Sequence, residues 1–259
     1  MTTPPSPVLS VVLPCYNEAK GLESLLKRFA ESCGATPFEL ILVDNGSVDD
    51  TQRVLARVLP QFPFARSVRI EKNQGYGHGI WTGLQAATGE VLAWSHADLQ
   101  TDPADVFRAW RIYRASAAPE RTVVKGNRNG RKFSERVVSW GMQTLATLLL
   151  RTGLTEINAQ PKMFHRDLLA CLPNPPIDLN FDLYVLYAAR KCGWHLAGFP
   201  VAFPPRQHGH SSWATSWRSK THTIGRSMKY IVRLARETPP KPPATLAKAT
   251  DIARHRPAA

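Results

Sequence analysis

Through the N-terminal half of the chain, short apolar runs alternate with longer stretches whose apolar positions recur at helical spacing. Val8–Leu13, Leu40–Val43, Val68–Ile70 and Val91–Trp94 read as buried strands. Between them, Leu22, Leu25, Leu26, Phe29, Ala30 and Cys33 share one helical face, with Gly34 as its stop. Ser47 and Asp50 resemble a capping box ahead of a stripe of Val54, Leu55, Val58 and Leu59. Ile80, Leu84 and Ala87 mark a third helix closed by Gly89. Asp102-Pro103 opens a fourth, faced by Val106, Trp110 and Tyr113. Strand–helix alternation of this kind predicts an α/β fold, a mainly parallel sheet covered by helices on both faces.

Beyond Arg121 the rhythm changes. Thr122–Lys125 reads as a strand running into a basic, glycine-rich loop, Gly126–Lys132. A helix carrying Val137, Trp140, Thr144, Leu145 and Leu148 follows, and Ile157–Phe164 is expected to return to the sheet edge. Pro173-Asn174-Pro175-Pro176 breaks the chain before a helix over Phe181–Lys191, and His195–Phe203 reads as the last strand. Over Thr223–Arg236, Ile224, Met228, Ile231, Val232 and Ala235 form one face, and Arg226, Lys229, Arg233 and Arg236 another. Such a basic amphipathic helix can lie in a membrane interface or pack on the domain. The expected division is an α/β domain over 1–217, this helix over 218–237, and a disordered tail over 238–259 that begins with a proline-rich stretch.

Charge narrows the range of partners. The 259 residues carry 33 Lys and Arg against 20 Asp and Glu, a net +13, which predicts attraction to something anionic. The four cysteines show no metal or disulfide spacing and read as free thiols. The first residues lack a basic start and an apolar core. The longest apolar stretch, near Leu145–Leu150, is far short of the ~20 residues that cross a bilayer. A cytoplasmic protein is expected, with peripheral contact at the cytoplasmic membrane face.

Each of the four early strands ends in a polar cluster, and in open α/β sheets ligands sit at those ends. The first cluster is Pro14-Cys15-Tyr16-Asn17-Glu18 and the second Asp44-Asn45-Gly46-Ser47. Tyr16 can pack on a nucleobase and Asp44 can accept from a base N–H, while Asn17, Ser47 and Asp50 can cap helices. In His96-Ala97-Asp98-Leu99-Gln100, an extended backbone would point Asp98 and Gln100 the same way, a pair suited to Mg²⁺ or Mn²⁺. Asp98 as a simple turn cap is the structural alternative. Gly75-Tyr76-Gly77-His78-Gly79 has the wrong spacing for a dinucleotide fingerprint, and no P-loop or Gly-x-Ser-x-Gly elbow occurs. His208 and His210 lack a third ligand nearby and read as ordinary polar loop residues.

Taken in order and spacing, the four clusters resemble family 2 glycosyltransferases of the GT-A fold, most of all the dolichol- and polyprenyl-phosphate sugar transferase branch and its bacterial relatives. The resemblance spans roughly residues 8–213. It implies a mainly parallel central sheet flanked by helices, and inverting, metal-dependent transfer of a hexosyl group from a nucleoside diphosphate sugar. Pro14, Tyr16 and Glu18 would line the nucleoside pocket, with Asp44 at the base and Gly75 close to it. Ala97 and Asp98 fall in the family's Asp-x-Asp region, with Asp98 and Gln100 on the metal. Arg206, Gly209 and Ser211 match the late Arg-x-x-Gly-x-Ser element, where Arg206 would face the diphosphate. Lys162 and Arg128 are further candidates for these phosphates or for an acceptor phosphate. Two departures stand out: His96 replaces the usual first Asp of Asp-x-Asp, and Asn45 a frequent second Asp.

A sugar hydroxyl acceptor would need a general base, for which Asp182 is the candidate with helix capping as the alternative, whereas a phosphate acceptor needs none. The basic helix, with Arg128, Arg131 and Lys132, favours a polyprenyl phosphate. Transfer to a sugar hydroxyl in cell-surface polysaccharide synthesis and non-catalytic nucleotide-sugar binding remain open alternatives. Nucleic-acid binding would explain the charge but leave all four clusters without a purpose, so no nucleic-acid partner is expected.

Overall fold

A computed structural model of the chain describes residues 8–129, 144, 146–204 and 217–242. The strands are β1 (Leu9–Cys15), β2 (Phe38–Asn45), β3 (Ala65–Ile70), β4 (Val91–Trp94), β5 (Thr122–Asn129), β6 (Lys162–His165) and β7 (His195–Ala202). They form one sheet in the order β3-β2-β1-β4-β6-β5-β7. Only β6 runs against its neighbours, so the sheet is mainly parallel, as its alternating sequence predicts.

Helices α1 (Leu22–Ser32), α2 (Thr51–Val58) and α4 (Pro103–Arg114) cover one face. Their Leu25, Leu55 and Val106 pack with Val11, Leu13, Leu40 and Leu42 of the strands. Helices α3 (Tyr76–Ala86), α5 (Phe181–Lys191) and α6 (Trp217–Arg236) belong to the other face, where Ile80, Leu84, Val185 and Leu234 meet Val12, Ile41 and Trp94. Each strand divides its alternate side chains between the two layers. Asp102 caps α4 by accepting from Ala104 N at 3.0 Å, with Pro103 in the first turn.

Several boundaries differ from expectation. β5 does not stop at Lys125 but continues to Asn129, because β7 offers it a parallel partner as far as Ala202. The segment expected at a sheet edge is instead the interior strand β6, paired antiparallel to both β4 and β5; the edges are β3 and β7. Ser47 does not cap α2: its Oγ accepts from Asn17 N, and Asp49 Oδ1 serves Thr51 N instead. On α6 the fully buried residues are Ile231 and Leu234, whereas Val232 and Ala235 are exposed. The helix is rotated from the expected face because it seats on the domain's core.

All four cysteines are free thiols. Among the described residues, no helix is long and apolar enough to cross a membrane. Residues 243–259, the basic loop residues Arg131 and Lys132, and Val137, Trp140 and Leu145 lie outside the described residues.

Candidate active site

β1 and β2 end side by side, Cys15 in register with Asp44, and their loops are sewn together by cross-bonds. Asn17 adopts a left-handed backbone (φ 58°), which an Asn tolerates, and its Oδ1 accepts from Val48 N at 2.9 Å. Glu18 N donates to Thr51 Oγ1 at 3.0 Å. Asp44 is 2% exposed; Oδ1 accepts from Ser47 N (2.9 Å) and Oδ2 from Arg69 (2.6 Å). Arg69 is a member of this site that sequence reading did not single out. Glu18 and Asp44 also reinforce the effect of burial in pushing the Cys15 thiol well above its usual range. Tyr16 is exposed at this rim.

The glycines after β3 are spaced for packing. Gly75 has φ 111°, and a Cβ there would meet Ile177 O at 2.5 Å; at Gly77 it would meet Pro176 O at 2.4 Å. The 176–178 loop thus lies on the start of α3, and Ile177 O accepts from His78 N at 3.0 Å. Asn45 Nδ2 donates to Gly75 O at 2.9 Å, fixing Gly75 against the end of β2. This accounts for the Gly-x-Gly-x-Gly pattern without a dinucleotide.

After β4 the backbone turns at once. Leu99 has φ 60°, and Asp98 Oδ1 accepts from Gln100 N at 3.1 Å. The extended geometry expected for residues 98–100 is therefore replaced by a turn that Asp98 closes through Oδ1. Gln100 Nε2 donates to Pro204 O at 3.3 Å, so Oε1 is the atom it can offer a cation. Ala97 and Asp98 are both buried. Among the described residues no three His, Cys, Asp or Glu side chains gather into a cation cage. A single carboxylate with one amide oxygen does suit Mg²⁺ or Mn²⁺, which bind through one or two protein groups plus substrate phosphates.

Behind this turn lies a buried polar cluster. Lys162 Nζ pairs with Asp182 Oδ1 and donates to Ala159 O at 3.0 Å, and Gln160 Nε2 donates to the same Asp182 oxygen at 3.0 Å. Burial lowers the Lys162 pKa, against the pull of Asp182. Gln160 Nε2 also reaches Tyr76 Oη at 3.0 Å, and the Tyr76 ring lies 6.1 Å from that of His96. Desolvation first, then Asp182, pushes the Tyr76 phenol well above its usual range. Tyr76, absent from the sequence-based site, joins the β4 turn to the Asp182 cluster; only its place among three glycines hinted at it.

At the margin of that cluster, Arg128 pairs with Glu156 at 3.0 Å and lies over the Phe203 ring at 5.5 Å, near enough for its charge to help lower the Lys162 pKa. Arg206, His208, Gly209, His210 and Ser211 lie outside the described residues. Arg226 of α6 pairs with Asp178 at 2.7 Å, tying that helix to the loop over α3.

The family model for glycosyl transferase family 2 matches residues 10–172. An undecaprenyl-phosphate 4-deoxy-4-formamido-L-arabinose transferase from Pseudomonas fluorescens is 26% identical over 214 residues, 80% of this chain and 60% of that protein. Glycosyltransferase AglD from Haloferax volcanii is 26% identical over 213 residues, covering 76% of this chain and 33% of AglD. The chain thus spans about 60% and a third of the lengths of these two relatives. Glucosyl-3-phosphoglycerate synthase from Mycobacterium tuberculosis, solved with Mn²⁺, UDP and glucosyl-3-phosphoglycerate, superposes with a TM-score of 0.64 at 20% identity. The superposition covers 88% of this chain and 78% of that one. That likeness bears on the fold, which is the GT-A arrangement. The family match runs from β1 past β6, takes in the ends of those six strands and covers more than half of the chain, which therefore belongs to glycosyl transferase family 2.

Proposed function

We propose that the enzyme passes a hexosyl group from a nucleoside diphosphate sugar to the phosphate of a polyprenyl phosphate, in one displacement that inverts the anomeric carbon. In this reading Tyr16 packs on the base, Pro14, Glu18 and Asp44 line the nucleoside pocket with Gly75 beside it, and Ala97 leaves room for the donor. Asp98 and Gln100 would hold Mg²⁺ or Mn²⁺, which would supply positive charge for the departing diphosphate. Arg206 faces the same diphosphate, and Arg128 and Lys162 belong to the phosphate-binding surround. An acceptor phosphate oxygen forms the new bond to the anomeric carbon, and the nucleoside diphosphate leaves with the electron pair of the old one.

The state of Asp182 carries the acceptor assignment. A hydroxyl nucleophile needs a base to take its proton. Asp182 is buried and already occupied by Lys162 and Gln160, which makes it a poor base. A phosphate is ionised beforehand and needs none. The undecaprenyl-phosphate transferase among the relatives supports the same class. Leu148 and Ile177, 70% and 57% exposed, offer apolar surface suited to an isoprenoid tail. The exposed Lys229 and Arg236 of α6 suit peripheral contact with an anionic membrane face.

Incubation with a panel of UDP- and GDP-sugars, Mg²⁺ or Mn²⁺, and either a short-chain polyprenyl phosphate or free oligosaccharides tests this. Product is expected only with the phosphate acceptor, suppressed by chelator, and inverted at the anomeric carbon by NMR. Transfer to oligosaccharide hydroxyls with the phosphate acceptor inert would refute the proposal.

A further inference from the structure

One rung of the sheet reads Ile41, Val12, Trp94, Lys162, Lys125, Gly198 from β2 across to β7. Directly paired residues share a face, so an apolar row becomes a pair of lysines just before the level of the β4 turn. The two lysines are treated differently. Lys162 has Asp182. Lys125, 3% exposed, donates only to neutral oxygens, Asn127 Oδ1 at 2.7 Å and Gly126 O at 3.5 Å. Among the described residues no carboxylate pairs with it; the nearby Glu156 is held by Arg128.

A buried ammonium with neutral partners alone is unfavourable unless something supplies the opposite charge. Among the described residues the cluster holds three cations, Lys125, Lys162 and Arg128, against two carboxylates, Asp182 and Glu156. Gly198 contributes to this arrangement: a Cβ on it would strike Asn127 Nδ2 at 2.3 Å, so β7 leaves room for the amide that steadies Lys125.

We infer that Lys125 is the cation that receives the phosphoryl group of the acceptor, with Lys162 held in place by Asp182 beside it. This rests on the acceptor reading above and adds to it the residue that recognises the phosphate. The surplus charge of the cluster is then balanced by the substrate.

Calorimetric titration of the full chain and its Lys125→Met variant with geranyl phosphate, geraniol and inorganic phosphate tests the assignment. Near pH 7.5 geranyl phosphate is expected to bind the variant at least tenfold more weakly, while geraniol binds both alike. Burial and then Lys162 lower Lys125 to about 8. The charged groups acting on it are Lys162 from β6, Arg128 from its own strand and Glu156. Wild-type affinity for geranyl phosphate should therefore fall as pH rises past that value, and the variant should lack this fall. Lys125→Met removes a buried charge, so its melting temperature should equal or exceed that of wild type.

Competition by inorganic phosphate would show that the headgroup suffices. Its failure to compete, with geranyl phosphate still dependent on Lys125, would assign the site to the lipid ester; either supports Lys125. Equal affinity of both proteins for geranyl phosphate, or no wild-type preference for it over geraniol, would overturn the inference. Lys125-dependent binding without any transfer to a polyprenyl phosphate would instead overturn the acceptor reading and leave Lys125 standing.

Discussion

Replacing Asp182 with asparagine removes one charge from a pair sealed away from water, the Lys162 and Asp182 side chains being 0% and 4% exposed. Removing one partner of a buried pair costs about 3–5 kcal/mol, since the remaining charge is stranded. Ala159 O would still accept from Lys162, and an asparagine oxygen can still accept from Gln160, which places this case near the lower end. About 3 kcal/mol is expected, a melting-temperature loss of roughly 6–12 °C for a domain of this size. Removing both charges, as Lys162→Met with Asp182→Leu, should leave stability within about 1 kcal/mol of wild type or above it.

The same variant carries a pH signature. Burial already holds Lys162 below the ordinary lysine range, opposed by Asp182, and loss of the carboxylate lowers it further. Between the folded value and the ordinary one, the unfolded chain binds more protons, so stability rises with pH across that interval. Urea unfolding at a series of pH values between about 7 and 10 should give a steeper rise for Asp182→Asn than for wild type. A loss below about 1 kcal/mol, or a double variant as unstable as the single one, would show that the pair is not the buried, mutually compensating unit described here.

Three further outcomes follow from the geometry. Gly83→Ala would place a Cβ 2.3 Å from Val12 Cγ1 and 2.8 Å from Val43 Cγ2. Forcing α3 off the sheet should cost about 1–3 kcal/mol in chemical unfolding. Asp98→Ala should lower metal-stimulated turnover by about 10²–10³-fold, the scale of losing one electrostatic contact to a transition state. Steady-state kinetics at saturating Mn²⁺ would check this, and turnover within tenfold of wild type would exclude Asp98 as a metal ligand. Neutralising Lys229 and Arg236 should weaken binding to anionic vesicles by about 2 kcal/mol, at ~1 kcal/mol per cation, or roughly thirtyfold. Co-sedimentation reads it out, and unchanged binding would place α6 away from the membrane; deleting the helix would not, since Ile231 and Leu234 would lose their place in the core.

The helix over Phe181–Lys191 was legible to the residue because a run of prolines precedes it and its apolar positions are dense. Asp102 and Pro103 likewise signal a helix start through chemistry within three residues. What local pattern could not supply was pairing across the chain. β6 looks like any short apolar segment, and only its neighbours β4 and β5 make it interior and reversed. The oxygen of Ser47 could have served its own helix, but the partner that claims it, Asn17 N, is thirty residues away. Lys125 closes an apolar run in the sequence and so resembles a strand end; its enclosure depends on β6 and β7. On α6, two overlapping apolar stripes were compatible with the sequence, and the domain beneath selected the one through Ile231 and Leu234.

Reversal of a single strand has a topological result. β5 finishes, and β6 begins, on the rim where β1, β2 and β4 deliver their polar turns. The chain therefore leaves that rim after Asn129 and is back at it by Lys162, and on the way Ala146, Leu150 and Leu154 join the core that holds Val12 and Ile41. Turning one strand round thus sets Lys162 and Lys125 on the same level as Trp94, at the corner where the early strands also stop.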